Sequence, residues 1–431
     1  MRRIRPPFTV HPPRVLYGLL AIALWCSLVF LEGASAGEVT AGVAFEPLEL
    51  PRGVPLAGYS RRKGRPSHGE HDPVGVRALV MQDQDTTAAL VSADLLIVDE
   101  RLIEAIRRRL LEEGLPAPLV LLVAATHTHS GPGAYGRRFL EKLSLGHFDP
   151  QVFDAIARAV SRSIRLAYER RGPVRIAYRI GKTTNLVVNR VEPSGPVDDD
   201  VVVVALYRPQ AREPFAALVG FAAHPTTLGA WNDQRSADYP GVVVREIERR
   251  MPGTTALFVT GAVGDQAPVA SGDGFERAER LGLPLAQQAA ALLEAPQPVS
   301  PHAVQAVQEH WALPPARVRL SRRIALPGWI SRQLVDDEAT LSLVAIGTTA
   351  FIGVPCDLAA SLGHTLKAAA RSRGFLPVIV GFTNDYIGYC VPEALYQSDA
   401  YEAMMAFNGP RAGELLVERL IDMLDKITVN E

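Results

Sequence analysis

Two histidines one residue apart lie in the run Thr126-His127-Thr128-His129-Ser130-Gly131-Pro132. In an extended segment residues i and i+2 point to the same side, so His127 and His129 are placed to face one ligand. Neutral imidazole is a common zinc ligand. The run follows a continuous apolar stretch over 118–125, the pattern of a buried strand, and strand ends opening into loops are where α/β proteins place sites. A lone His-x-His is equally well read as a pair of hydrogen-bonded structural histidines. A third histidine weighs against that: Val219-Gly220-Phe221-Ala222-Ala223-His224-Pro225 is another apolar strand ending in His, with a proline that stops it. Gly261-Ala262-Val263-Gly264-Asp265 follows a third apolar strand, and a Gly-rich turn there lets backbone N–H groups approach a ligand. Taken alone it is an ordinary tight turn. Asp94, after Val91-Ser92-Ala93, either orients a ligand histidine or caps a turn.

The elements that must position these residues alternate along the chain. Strand patterns cover 76–82, 87–97, 118–125, 174–180, 201–207, 216–222 and 255–260, then a pair within 340–352 and a strand at 376–382. Helical patterns cover 99–113, 149–170, 238–250, 274–294, 358–371 and 413–428. The first has an acidic start and an Arg-rich later part, which suits the helix dipole. The stretch 295–326 is rich in proline and basic residues and reads as a meander or an exposed excursion. No internal repeat and no dividing linker stand out. The expectation is an α/β fold, a mixed β-sheet flanked by helices, forming a single catalytic domain over 37–431.

Bulk composition narrows the class. The chain has 431 residues, 48% of them apolar and 21% charged, which is ordinary globular composition. A net charge of −1 gives no basic field for nucleic acid. Residues 1–36 differ from the rest. Arg2, Arg3, Arg5 and Arg14 precede an apolar run over 15–31, and Ala34-Ser35-Ala36 forms an Ala-x-Ala cleavage site. Residues 1–36 are therefore a signal peptide or a signal anchor, with cleavage after Ala36 favoured, although the run is near the length of a short membrane span. Either outcome puts the body of the protein outside the cytoplasm, secreted, periplasmic or membrane-anchored. Losing four Arg and one Glu would take the net charge to −4. Besides Cys26 in that segment, only Cys356 and Cys390 remain. They either form one bridge or are ordinary buried thiols; the second is preferred.

Taken together, the runs resemble the neutral/alkaline ceramidase family of zinc amidases. The resemblance extends from about Ala41 to Gly413 and rests on motifs in order. These are Gly69-Glu70-His71 with Arg77, Val91 to Asp94, Thr126 to Pro132, Asn189-Arg190 and Ala223-His224-Pro225. Gly264-Asp265, Val354-Pro355-Cys356-Asp357, and Thr383-Asn384-Asp385-Tyr386 through Tyr401-Glu402-Ala403 complete the set. The resemblance implies that His127 and His224 bind zinc, with Asp357 and Tyr389 completing the shell. It implies that His129 sits beside the metal-bound water and the scissile amide, that Arg190 contacts substrate, and that Tyr401 polarises the substrate carbonyl. Three departures stand out. Asp357 replaces the family Glu, so its backbone must come closer or a water must bridge. Ala267 replaces a functional Ser, which excludes that hydroxyl as nucleophile. The C-terminal β-sandwich usual in the family has no counterpart after the Tyr motif. The cysteines flank the proposed ligands Asp357 and Tyr389, and adjacent strand residues point to opposite faces, so the sulfurs are not named as ligands.

The expected chemistry is attack of a metal-activated water on the carbonyl of a lipid-like N-acyl amide, with a membrane surface as a further partner. His129 or a nearby carboxylate handles the proton, and Tyr401 and His129 stabilise the oxyanion. Two rival readings stand beside it. One is another metal-dependent amidohydrolase or esterase, since strand-terminal His-x-His also opens amidohydrolase barrels, although fewer than eight βα units are present. The other is an extracytoplasmic lipid-binding homologue without catalysis, motivated by Ala267 and Asp357.

Overall fold

Alternate residues along the strands face two different cores, and that alternation organises the molecule. The computed structural model describes residues 39–116, 118–295, 297–299 and 303–429. The targeting segment expected over 1–36, with Cys26, lies outside them. Strands β1 (Thr40–Pro47), β2 (Gly75–Gln82) and β3 (Thr87–Ala93), helix α1 (Glu100–Glu112) and strand β4 (Leu119–Ala125) come first, followed by helices α2 (Phe139–Leu145) and α3 (Pro150–Glu169). Next are β5 (Gly172–Pro173), β6 (Arg175–Lys182), β7 (Val187–Asn189), β8 (Asp200–Tyr207), β9 (Ala216–Phe221), α4 (Asp238–Arg250), β10 (Thr255–Thr260), β11 (Gln266–Pro268), α5 (Gly274–Glu294) and β12 (Gln297–Val299). The last third has β13 (Val304–Ala312), α6 (Gly328–Leu334), β14 (Glu338–Ile346), β15 (Thr349–Val354), β16 (Asp357–Leu358), α7 (Ala360–Ser372), β17 (Leu376–Gly381), β18 (Tyr389–Cys390), α8 (Glu393–Tyr396), α9 (Tyr401–Met404) and α10 (Ala412–Leu424).

One supersecondary plan recurs three times. The sheets run β4-β3-β2-β1-β5, β10-β9-β8-β6-β12 and β17-β15-β14-β13. In each, three antiparallel strands lead into a helix and a fourth strand lies parallel to the third: β3 with β4, β9 with β10, β15 with β17. One face of every sheet meets a shared central core, where Leu79, Leu122, Leu218, Leu257, Phe351 and Val378 belong to one buried cluster. The other face is covered by the unit's own helices: α1 and α3 in the first, α4 and α5 in the second, α7 and α10 in the third. In β3, Leu90 faces the shared core while Ala89 and Val91 face the helices, the period of two expected of a strand. The third and fourth strands of each unit end close to one another, so loops from all three units meet. Ala125 N–H donates to Phe382 O at 3.2 Å, Thr260 Oγ1 donates to Thr126 O at 2.9 Å, and Ser92 Oγ donates to Phe258 O at 2.6 Å.

The α/β class with mixed strands and flanking helices stands, but several expectations change. The described residues form three main sheets and two short ribbons. The strand expected over 87–97 ends at Ala93, because Asp94 Oδ2 accepts the Gly75 N–H (2.9 Å) and Leu95 N–H turns back to Ala93 O (2.7 Å). The helix expected from 358 starts at Ala360, since Asp357 and Leu358 pair in parallel with Tyr389 and Cys390. The stretch 295–326 is no simple excursion: β13 pairs with β14 from Val304↔Ile346 to Ala312↔Glu338. Two helix starts carry a side-chain cap that is visible in the sequence. Asp99 caps α1 by accepting the Leu102 N–H at 2.9 Å, and Asp149 caps α3 with Pro150 in its first turn.

A buried lysine ties the second unit to the third. Lys367 on α7 donates to both oxygens of Asp198 (2.6 and 2.7 Å) and to Asp200 (3.1 Å). Removing one member of a buried ion pair strands the other in low dielectric. We predict that Lys367→Met lowers unfolding stability by about 3–5 kcal/mol in urea titration; a loss under about 1 kcal/mol would show that the pair does not carry this junction.

Candidate metal centre and pocket

His127 lies just beyond β4, His224 just beyond β9 and Asp357 just beyond β15, one from each unit. Their side chains converge. The Nε2 atoms of His127 and His224 are 3.0 Å apart, and His129 Nε2 lies 3.3 Å from His127 Nε2. Asp357 Oδ1 is 3.6 Å from His127 Nε2 and 3.8 Å from His224 Nε2. The three histidines form a group whose ring nitrogens suit a metal ion.

The hydrogen bonds fix what those nitrogens offer. His127 Nδ1 lies 2.7 Å from Leu96 O, and His224 Nδ1 lies 3.3 Å from Val263 O. A carbonyl only accepts, so each Nδ1 carries the proton and each Nε2 presents a lone pair. Burial holds His127 down at about 3, against a smaller upward pull from the Leu96 carbonyl, and burial keeps His129 and His224 well below the ordinary imidazole value. Two neutral imidazoles thus point lone pairs at each other across 3.0 Å. Beside them Asp357 Oδ2 accepts from Tyr386 OH at 2.9 Å, while the buried Oδ1 has no hydrogen-bond partner among the described residues. Burial pushes the Asp357 carboxyl up to about 7, opposed by the Tyr386 hydrogen bond and the Arg190 charge. Converging lone pairs and an orphaned buried carboxylate oxygen are what a divalent cation satisfies. The donor set, imidazole nitrogens with one carboxylate, fits zinc.

Local backbone explains the placement. His127 adopts φ 61°, and Phe382 and Asn384 are also left-handed at φ 55° and 63°. Such conformations are strained for bulky residues and cluster at sites. The two imidazoles of the Thr-His-Thr-His run are therefore brought together by a left-handed turn, not by the same-side geometry of an extended segment. Phe382 stacks on His127 at 3.7 Å between ring centroids. His129 packs against Gly58, where a Cβ would lie 2.6 Å from its ring. Its carbonyl accepts from Arg62 Nη1 at 2.5 Å, and its Nδ1 has no partner among the described residues. Asp94 does not touch a histidine; it accepts from Thr126 Oγ1 (3.4 Å) and pairs with Arg77 (3.6 Å). The Asp357 backbone packs closely against the Gly-rich turn: a Cβ on Gly264 would lie 2.6 Å from Asp357 O.

The remaining expected residues form a second layer. Tyr389 OH accepts from Arg190 Nη2 at 3.0 Å, and Arg190 also donates to Glu402 Oε1 and Gly264 O, both at 2.8 Å. These bonds hold Arg190 through Nε and Nη2, and it is not among the residues lining the pocket. Tyr401 opens α9, is mostly exposed, and stands edge-on to Tyr389 at 5.7 Å. Ala267 pairs opposite Val188 on the β11–β7 ribbon. Asp265 beside it ties the centre together, accepting from Ala360 N–H (2.9 Å) and Asn189 Nδ2 (3.0 Å). Glu70 and His71 lie away from the centre, Glu70 paired with Arg235 and His71 stacked on Phe275. Cys356 and Cys390 are free thiols buried in the third unit's core. A cavity of about 120 Å³ opens over the centre. His127, His129, Tyr386, Tyr389 and Tyr401 line it together with an apolar wall that includes Leu96, Ile97, Leu140, Leu334, Ile387 and Phe407. Tyr386, the Leu96 and Val263 carbonyls and the Gly58 backing have no assigned role in the sequence; Tyr386 and Val263 lie within recognised runs, Leu96 and Gly58 do not.

The sequence model described as neutral/alkaline non-lysosomal ceramidase, N-terminal, matches residues 50–280. The chain belongs to this family. Neutral ceramidase of Mycobacterium tuberculosis is 28% identical over 221 residues, 47% of this chain and 34% of that protein. Neutral ceramidase of Pseudomonas aeruginosa is 28% identical over 232 residues, 50% of this chain and 34% of that protein. The matched stretch thus spans about a third of the length of these relatives. The crystal structure of the Pseudomonas aeruginosa neutral ceramidase superposes with a TM-score of 0.79 at 19% identity, covering 91% of this chain and 76% of that one. A structure described as ceramidase complexed with C2 gives 0.80, also at 19% identity, over 92% and 76%. These superpositions establish a shared fold. The family match begins at residue 50 and ends at 280, so it spans His127, His129, Arg190 and His224 but not Asp357, Tyr389 or Tyr401.

The orphaned oxygen yields a prediction. In Asp357→Asn the amide would donate to the histidine lone pairs, so the metal-free variant should melt no lower than metal-free wild type. Zinc at a hundredfold excess over its dissociation constant should stabilise wild type by about 2.7 kcal/mol and the variant far less. A variant that melts several degrees lower without metal yet keeps the full zinc increment would contradict the assignment.

Proposed function

We propose that this chain is a zinc-dependent hydrolase of N-acyl amide bonds acting on a ceramide-like lipid. The observation that carries the reading is the convergence of imidazole lone pairs and an unpartnered carboxylate oxygen at a pocket whose remaining lining is largely apolar. The family membership supports the same reaction class. Zinc held by His127, His224 and Asp357, with Tyr389 beside them, would supply a Lewis acid and lower the pKa of a water to near neutrality. The apolar wall excludes water from the bound chain and orients the amide toward the centre. His129, whose Nδ1 has no hydrogen-bond partner among the described residues, takes and returns the proton. Tyr401 OH donates to the carbonyl oxygen as charge develops there. Arg190 acts through Tyr389, which it holds by hydrogen bond. Ala267 leaves no hydroxyl at the position where the family has a functional serine, so the nucleophile of this reading is water. We further propose that residues 1–36 direct the protein out of the cytoplasm.

Metal analysis paired with a panel of ceramides, other N-acyl amides and esters tests the reading. One zinc per chain, with amide hydrolysis that disappears on chelation and returns with zinc, is the expected result. Zinc with ester hydrolysis alone would favour another metallohydrolase, and a folded protein that takes up no zinc and hydrolyses nothing would favour a binding homologue. His127→Ala should lose both zinc and hydrolysis of a fluorescent N-acyl-sphingosine analogue; unchanged zinc content would remove His127 from the centre. Tyr401→Phe should keep its zinc and lose about 10²–10³-fold in kcat with a much smaller change in KM, and an unaltered kcat would exclude the hydroxyl from the reaction.

A further inference from the structure

The stretch from His310 to Val335 contains five arginines, Arg317, Arg319, Arg322, Arg323 and Arg332, and no acidic residue, in a chain whose net charge is −1. It is built into the wall of the pocket. Leu334 and Val335 line the cavity, and Arg317 N–H donates to the backbone of another lining residue, Phe407, at 2.6 Å. Its middle folds into a tight turn, closed by Leu326 N–H to Val318 O (2.8 Å) and Leu320 N–H to Ile324 O (2.9 Å). Arg319 is buried and donates to the carbonyls of Tyr396 and Ala403, fixing the turn to α8 and to α9, the helix that carries Tyr401. Val318 N–H donates to Ser331 Oγ at 3.1 Å, which fixes it to α6 as well.

The side chains that this rigid turn leaves over are unusual. Leu320, Ile324 and Trp329 are 63%, 59% and 63% exposed, with Arg322, Arg323 and Arg332 exposed among them. On the other side of the pocket, α2 contributes Leu140 to the lining and turns Phe139 and Leu143 to solvent. An ion pair between Arg138 and Asp336 joins the two sides. Scattered exposed apolar residues are ordinary, but an apolar cluster interleaved with cations around a pocket marks an interaction surface. Leucine, isoleucine and tryptophan beside arginines are what binding at a lipid interface uses, the apolar groups entering the headgroup boundary and the cations meeting anionic lipid. Among the described residues no helix is long and apolar enough to cross a membrane. A second copy is a poorer occupant, because a two-fold contact would set the same cationic face against itself.

We infer that the turn at 320–324, α6 and the exposed side of α2 together dock the protein on an anionic phospholipid bilayer. The charge pattern and the exposed apolar groups carry the docking itself. Its use, passing a membrane lipid into the adjoining pocket, rests on the reading given under Proposed function.

Trp329 is a natural reporter. Vesicles of phosphatidylcholine with about a third phosphatidylglycerol, carrying brominated acyl chains, are titrated into the full-length protein. The difference between wild type and Trp329→Phe isolates this face from the N-terminal apolar segment. The expected result is quenching of Trp329 on the anionic vesicles and little on pure phosphatidylcholine. In Arg322→Ala/Arg323→Ala the lipid concentration at half-quenching should rise roughly 25-fold, about fivefold per arginine. Unchanged melting temperature and unchanged hydrolysis of a short, soluble N-acyl amide show that the variant is intact. Absence of quenching, quenching indifferent to the double variant, or burial of Trp329 by concentration-dependent dimerisation would each overturn the docking proposal. Docking without hydrolysis of any N-acyl lipid would overturn the catalytic reading alone, whereas hydrolysis of the soluble amide without quenching would overturn only the docking.

Discussion

Two imidazole lone pairs facing each other across 3.0 Å, with a buried carboxylate oxygen that has no hydrogen-bond partner among the described residues, are the constraint around which the structure is organised. In water such groups would separate and hydrate. Here burial makes the charged histidine unfavourable and raises the carboxyl of Asp357, while the Leu96 and Val263 carbonyls hold the protons on the far nitrogens. The fold therefore supports an arrangement that is costly by itself and that a cation relieves. The left-handed His127 adds to that cost. Groups held this way are pre-organised: a cation placed among them would require little movement of the side chains.

That arrangement is affordable because three units of one plan share a single core. Each unit sends its third and fourth strands toward the same point, so the ends of three parallel pairs supply the loops. His127, His224 and Asp357 come from different units, and no one unit contains the centre. Hydrogen bonds between the units, such as Thr260 to Thr126 and Asp265 to Ala360, lock the loops together. The Lys367 to Asp198 pair does the same at a distance from the chemistry. Disturbing such a junction is expected to alter metal binding through position and not through loss of a ligand.

The legibility of the sequence follows from which signals are local. Strand-end histidines were readable because an apolar run and a proline bracket them, and helix starts were readable because Asp99 and Asp149 cap them. The threefold plan was not, since alternation of Ala, Val and Leu satisfies many topologies and leaves no repeated motif. The left-handed turn at His127 was hidden for a related reason: nothing in the residue type announces it, and the expected same-side geometry gave the right convergence through the wrong conformation. Backbone acceptors such as Leu96 O carry no residue signature at all. Asp94 was correctly located near the site, but its carboxylate serves the Gly75 and Thr126 donors. Arg190 has its guanidinium committed to Glu402, Gly264 and Tyr389, a commitment decided by residues far away in sequence. The stretch 295–326 is marked in the sequence only by its composition; part of it is strand β13, and Arg317 and Arg319 tie the remainder to the backbone beside the pocket.

X-ray absorption at the zinc edge of the metal-loaded protein tests the central claim most directly. The expected result is a low-coordinate shell at about 2.0–2.1 Å with imidazole scattering from at least two histidines and one or more oxygens. Zinc surrounded by oxygen alone, with no imidazole signal, would contradict it.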